Sequence, residues 1–343
     1  MSERPLLQVR GLSVHFPLAR RRPLQPKRVL KAVDGIDLDI ARGKTLGLVG
    51  ESGSGKTTTA LAVMQLLAVT GGSIKLEGNE LVGFAGGALR TARRDVQMIF
   101  QDPYSSLNPR LRAGAIVEEP LRLSAMGDDK QRGERVRELF AQVGLSDGQR
   151  ALFPHQFSGG QRQRIGIARA LALQPKLVVC DEPVSALDVA VQAQVLNLLV
   201  RLQEKFGLTY LFISHDLAVV EYMCDEVAVM YLGQIVEYAS RERLFERPLH
   251  PYTWALFSAI PRIEVGDRSK TNRVRLQGDP PSPIDLPAGC RFAGRCPFAE
   301  QVCRDTPPPL REIEAGHRVA CHLVGADGST PHVSARPPAS PLS

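Results

Sequence analysis

Residues 50–57 read GESGSGKT. The apolar run KTLGLVG, 44–50, leads into them, and TTTALAVMQLLAV, 57–69, follows. A short apolar run closed by glycine predicts a buried strand, and the second stretch predicts a helix that packs on a sheet. A G-x-x-x-x-G-K-[ST] loop between a strand and a helix is a phosphate cradle. Its glycines let the chain turn tightly, so several backbone N–H groups aim at one phosphate. The helix N-terminus adds the positive end of its dipole. Lys56 is placed to reach the β- and γ-phosphates, and Thr57 to bind Mg²⁺. The competing reading, a glycine-rich turn that binds nothing, leaves the lysine, the threonine and both flanking elements unexplained.

Further buried strands are predicted at 95–100, 176–181, 209–214 and 227–232, with a long helix at 189–206. Strands alternating with helices predict an α/β fold with a mostly parallel sheet. Strand signals thin out between about 103 and 170, which predicts an inserted helical subdomain. Proline becomes frequent after residue 248. The expected division is therefore 1–247 for the nucleotide-binding domain, 248–325 for a small C-terminal extension and 326–343 for a disordered tail.

Composition excludes some classes. No apolar run approaches the roughly eighteen residues of a membrane span. The opening MSERPLLQVR lacks the apolar core of a secretory signal, so a cytosolic chain with reduced or ligated cysteines is expected. The net charge of +7 reads first as a solvated arginine-rich surface; phosphate ligands and anionic headgroups are the functional readings, and charge alone does not choose between them. The cluster Arg20, Arg21, Arg22, Lys27 and Arg28 contains two prolines and predicts an exposed loop.

Phosphoryl chemistry also needs carboxylates. LVVCDEP, 177–183, carries Asp181 and Glu182 to the C-terminal end of a predicted strand, where α/β sheets bind ligands. Asp181 is assigned to Mg²⁺ and Glu182 to the attacking water.

FSGGQRQRIGIARAL, 157–171, then resembles the signature of ABC-type ATPases, with Phe157 where leucine is more usual. The family order appears throughout: GESGSGKT, Gln101 in FQDP, SGGQ, VVCDEP, SALD at 185–188, and His215 in ISHD. The resemblance covers about residues 6–240. It implies a P-loop ABC ATPase fold with a mixed or parallel sheet core. ATP would be held by Gly50, Glu51, Ser52, Gly53, Ser54, Gly55, Lys56, Thr57, Thr58 and Gln101, with Phe16 stacked on adenine and His15 as the next candidate. Thr57, Gln101 and Asp181 would hold Mg²⁺; Glu182 and His215 would be catalytic. Two cassettes would meet head to tail, so that Ser158, Gly159, Gly160 and Gln161 act on the partner's ATP and the loop Ser185, Ala186, Leu187, Asp188 lies at the interface.

A closer resemblance runs through VQMIFQDPYSSLNPRL, DEPVSALDVAVQAQVLNLL and HPYTWAL. These resemble the ATPase subunits of bacterial dipeptide and oligopeptide importers, the F type in particular. The resemblance implies a paralogous ATPase partner, two membrane permeases, an extracytoplasmic solute-binding protein and a peripheral place on the cytoplasmic face of the membrane. An importer for nickel or another small solute is the alternative. A nucleic-acid ATPase is disfavoured, because no heptad run separates the phosphate loop from the signature.

Four cysteines remain, spaced Cys290-x5-Cys296-x6-Cys303-x17-Cys321. No C-x2–4-C pair of the usual zinc kind is present. Four soft thiolates suit an iron–sulfur cluster, and the family resemblance implies a 4Fe–4S centre in some members. Zinc and four free thiols are the other readings, with His317 and His322 as substitute ligands. Cys180 and Cys224 are expected to be small buried hydrophobes.

Overall fold

In a computed structural model, the described residues are 4–18, 28–102, 104–258 and 281–331. The chain opens with the antiparallel pair β1 (Leu7–Pro17) and β2 (Val29–Ile40), then β3 (Thr45–Val49), which feeds the phosphate loop and α1 (Lys56–Val63). Next come β4 (Gly71–Leu76), β5 (Asn79–Glu80), α2 (Gly86–Asp95) and β6 (Val96–Ile99). Three helices follow without a strand: α3 (Ala113–Leu123), α4 (Asp129–Gln142) and α5 (Gly159–Leu171). They form the inserted helical subdomain. The order then alternates through β7 (Leu177–Asp181), α6 (Val189–Phe206), β8 (Thr209–Ile213), α7 (Leu217–Met223) and β9 (Glu226–Tyr231). It closes with β10 (Gln234–Ser240), α8 (Arg241–Glu246), α9 (Pro251–Ser258), α10 (Gln301–Asp305), β11 (Arg311–Glu314) and β12 (His317–Val319).

Among the described residues the strands make two sheets. One has the order β11-β12-β10-β9-β3-β8-β7-β6 and the other β2-β1-β4-β5. β9, β3, β8, β7 and β6 are mutually parallel. Strands β3, β7 and β8 are buried at every residue, as expected for strands covered on both faces. That is why they read as continuous apolar runs rather than as alternation. The antiparallel sheet was not predicted. Its strands alternate buried and exposed positions, and glycines at 11, 35 and 71–72 interrupt the pattern.

Helix α6 spans 189–206 as predicted, capped by the Asp188 side chain and ended by Gly207 at φ 63°. Helix α1 is shorter than predicted. It stops at Val63, and Gln65 at φ 54° turns the chain toward β4. Apolar content extended the prediction past a turn that only the sheet connection requires.

The C-terminal extension is welded to the core. β12 pairs with β10, Glu237 opposite Val319 and Tyr238 opposite Arg318. Glu237 is wholly buried. Its carboxylate accepts from the Leu249 and His250 N–H groups at 2.6 and 2.9 Å and faces His317 Nε2 at 2.8 Å. A buried carboxylate needs such partners. Arg28 pairs with Asp285, tying β2's edge to the extension. Arg20, Arg21, Arg22 and Lys27 lie outside the described residues, as does most of the expected tail. Among the described residues no helix is long and apolar enough to cross a membrane.

Candidate active site

The phosphate loop leaves β3 and enters α1 at Gly55, whose φ is 109°. A side chain there would run into the Ala32 carbonyl, so the tight turn depends on glycine. Ser52, Gly53, Gly55, Lys56, Thr57 and Thr58 line an open cleft of about 730 Å³. Gly50, Glu51 and the buried Ser54 are not part of this lining. Lys56 is buried, and its ammonium donates to the carbonyls of Gly50 and Glu51 at 2.8 and 2.9 Å. Burial pulls its pKa below the usual lysine value, while the charges of Glu182, Asp181 and Glu51 oppose that shift.

The two carboxylates stand at the end of β7. Asp181 is buried and accepts from Thr57 Oγ1 at 3.3 Å. Burial raises its pKa, the Thr57 hydrogen bond lowers it, and the Glu182 charge raises it further. Glu182 bends away from the strand with φ 47°. A non-glycine residue held there costs roughly 1–3 kcal/mol, a strain that clusters at functional sites. The bend brings its carboxylate 2.8 Å from Gln101 Nε2, which donates to it, and 3.1 Å from His215 Nδ1. Gln101, Glu182 and His215 line the same cleft as Lys56. Positions 56, 57, 101, 181, 182 and 215 thus converge from four separate strand ends.

Phe16 is not part of that lining. It sits half-buried against the apolar cluster under the antiparallel sheet, and its β2 partner Leu30 lines the cleft instead, with Pro283 of the extension. His15 is engaged by Asp34, Nε2 to Oδ1 at 2.9 Å.

The signature residues also stand apart from the cleft lining. Ser158 caps α5 in a reciprocal box with Gln161. Gly160 is buried against α6, where an added Cβ would fall well inside contact distance of Val191 Cγ1. Ser185, Ala186 and Asp188 are exposed on the loop before α6, and Ser185 Oγ donates to the Glu182 carbonyl at 3.1 Å.

Comparison with known proteins agrees with this geometry. The ABC transporter family profile matches residues 33–185, and the profile of the oligopeptide/dipeptide transporter C-terminal region matches 236–303. The chain is 51% identical to a peptide import ATP-binding protein of Brucella ovis, over 94% of this chain and 98% of that one. This chain belongs to the ATP-binding subunits of bacterial ABC-type peptide importers. Within that family it is 46% identical to the oligopeptide transport protein AppF of Bacillus subtilis, over 94% of this chain and 98% of AppF. It is equally 46% identical to the dipeptide transport protein DppF of Escherichia coli, over 95% and 96%. Among solved structures, the ATP-binding cassette MJ0796, dimeric and bound to ADP and Pi, superposes with a TM-score of 0.61 at 26% identity, covering 68% of this chain and 98% of that one.

The iron–sulfur expectation is overturned. Among the described residues no group of three or more His, Cys, Asp and Glu side chains is arranged to hold a metal ion. Cys290, Cys296, Cys303 and Cys321 do border one small void of about 10 Å³, packed beside Phe292 and Leu323. They are free thiols. Burial pushes the Cys290 thiol up, Cys296 to about 11 and Cys321 to about 12. Neither histidine is a substitute ligand: His317 faces Glu237, and His322 Nε2 meets the Thr306 carbonyl at 2.9 Å. Cys180 and Cys224 are buried in the main core, as expected of small hydrophobes.

Sequence reasoning missed the extension's share of this importer ATPase's site. Tyr252 Oη accepts from the Glu51 N–H at 2.8 Å, and Arg295 pairs with the Glu51 carboxylate at 2.7 Å. Arg291 pairs with Asp34. Tyr252 lies within HPYTWAL, but nothing along the chain tells that it or the arginines reach the phosphate loop, because their contacts span more than two hundred positions.

Proposed function

We propose that this subunit powers peptide import by hydrolysing ATP in a composite site. One half is its own phosphate loop with Asp181, Gln101, Glu182 and His215. The other half is the signature of a second cassette. The observation that carries the reading is a division within one chain. Gln101, Glu182 and His215 line the cleft with Lys56 and Thr57, whereas Ser158, Gly159, Gly160 and Gln161 take no part in it. The dimeric state of the cassette MJ0796 supports the same reading.

The chemistry follows from the contacts. The N-terminus of α1 and the loop N–H groups receive the phosphates, and Lys56 counters their charge. Thr57, Asp181 and Gln101 would hold Mg²⁺, which neutralises the phosphate oxygens when bound. Glu182 polarises a water whose oxygen attacks the γ-phosphorus as the bond to ADP breaks. His215 and Gln101 fix the Glu182 carboxylate and sense whether the γ-phosphate is present. In turn, this chain's Ser158 hydroxyl and its Gly159 and Gly160 N–H groups cap the γ-phosphate bound at the second cassette's loop, backed by the α5 dipole, and the second cassette's signature does the same here. Adenine rests toward Leu30 and Pro283.

The second cassette is a paralogue, and this chain is the F-type member, as the names of AppF and DppF support. The pair works on the cytoplasmic face of the membrane beneath two permeases fed by an extracytoplasmic binding protein. The matched C-terminal region favours peptides over nickel as cargo. The test uses the assembled complex. Lys56→Ala should abolish nucleotide binding at this chain's loop. Ser158→Arg should leave that binding intact and stop hydrolysis at the site its signature completes. Normal turnover with Ser158→Arg would overturn the composite site.

A further inference from the structure

Glu51, the second residue of the phosphate loop, is held from three directions. Its carbonyl accepts from Lys56 Nζ at 2.9 Å. Its N–H donates to Tyr252 Oη at 2.8 Å. Its carboxylate faces both terminal nitrogens of Arg295, at 2.7 and 3.1 Å. Tyr252 belongs to α9, and Arg295 to the loop before α10, so two of the three holds come from the C-terminal extension. Both are built into packed surroundings. The Arg295 side chain is 8% exposed, and its guanidinium also donates to Tyr231 Oη at 3.4 Å. Tyr231, Tyr252 and Phe292 form one ring cluster, with centroids 4.7 to 5.4 Å apart.

We propose that Arg295 and Tyr252 are positioning residues for nucleotide binding, through which the extension sets the shape and charge of the phosphate loop. The proposal rests on the reading of residues 50–57 as the nucleotide site. The physical case has two parts. A loop that receives a polyphosphate carries a carboxylate of its own, and like charges brought near one another repel. Arg295 neutralises that carboxylate with a two-pronged contact that a lysine does not reproduce. Tyr252 fixes the Glu51 N–H, and with it the orientation of the peptide that leads into Ser52. The phosphate-facing N–H groups are then aligned before the ligand arrives, which lowers the ordering cost of binding. Pro283 adds a third contact: it lines the cleft, and its carbonyl accepts from the Lys31 N–H at 3.3 Å.

The experiment titrates MgADP into the full chain by calorimetry. Arg295→Met should weaken binding about tenfold or more, and Arg295→Lys should weaken it less, because it keeps the charge. Tyr252→Phe should lose affinity by about threefold, the size of one neutral hydrogen bond. The decisive variant is the double change Glu51→Gln with Arg295→Met. It should bind MgADP more tightly than Arg295→Met alone, since the carboxylate left bare is gone. A purely structural role for Arg295 gives no such recovery, and its absence overturns the proposal. Wild-type affinity in both Arg295→Met and Tyr252→Phe also overturns it. If Arg295→Met does not fold by circular dichroism, Arg295→Lys and Tyr252→Phe decide, and wild-type affinity in both is the overturning result. Wild-type affinity in Lys56→Ala would instead reject the nucleotide site itself.

Discussion

His215 Nδ1 lies 3.1 Å from Glu182 Oε1, while Gln101 Nε2 donates to the other oxygen of the same carboxylate at 2.8 Å. The three residues come from the ends of β8, β7 and β6, so one carboxylate is gripped by two neighbours that share no local sequence with it. The strained backbone of Glu182 is what turns its side chain into that grip.

Replacing Glu182 by Gln keeps the shape and removes the proton acceptor. In the assembled importer, MgATP should still bind while hydrolysis falls by about a hundredfold or more. An ATP-bound cassette pair should accumulate, visible as a larger species by light scattering. Wild-type phosphate release would remove Glu182 from its proposed role.

Gly160 presses against Val191, so Gly160→Ala should displace the N-terminus of α5. Hydrolysis in the complex should drop while nucleotide binding by this chain persists. Gly160→Ala with Val191→Ala makes room for the added methyl and should recover part of the loss. An ATPase assay on both variants checks it; failure of the double variant to improve on the single would mean that the glycine serves backbone freedom rather than packing.

Asp34 predicts a pH dependence. Burial alone would raise its pKa, but the hydrogen bond and charge of Arg291, with His15 and Lys31, hold it below the usual aspartate range. A depressed carboxyl contributes stability that is fully present above its unfolded pKa of about 3.9 and is lost as pH falls through the lower folded value. Asp34→Asn should therefore lower the melting midpoint near pH 7, and the gap to wild type should close as pH falls below about 4. A gap of constant size across that range would show that shape rather than charge gives Asp34 its contribution.

Much was legible in the sequence because it was local. The phosphate loop, the acidic strand end and the signature each combine a fixed residue pattern with the element that presents it. Strands buried on both faces also announce themselves, since each is an apolar run. The antiparallel sheet did not, because its alternation is broken by glycines that serve turns and bulges. Four cysteines in one segment suggested a metal centre, since spacing carries no information on how the thiols face one another. Their packing among apolar groups decided otherwise.

The sequence by itself determined the ATPase core and the order of its motifs, because local backbone geometry and side-chain chemistry suffice to specify a phosphate loop and its carboxylates. Only the tertiary structure brings the C-terminal extension against the phosphate loop. Glu51 and Arg295 are 244 positions apart, and such a contact is selected by the fit of β12 on β10 and by the ring cluster beneath Arg295, not by any pattern along the chain.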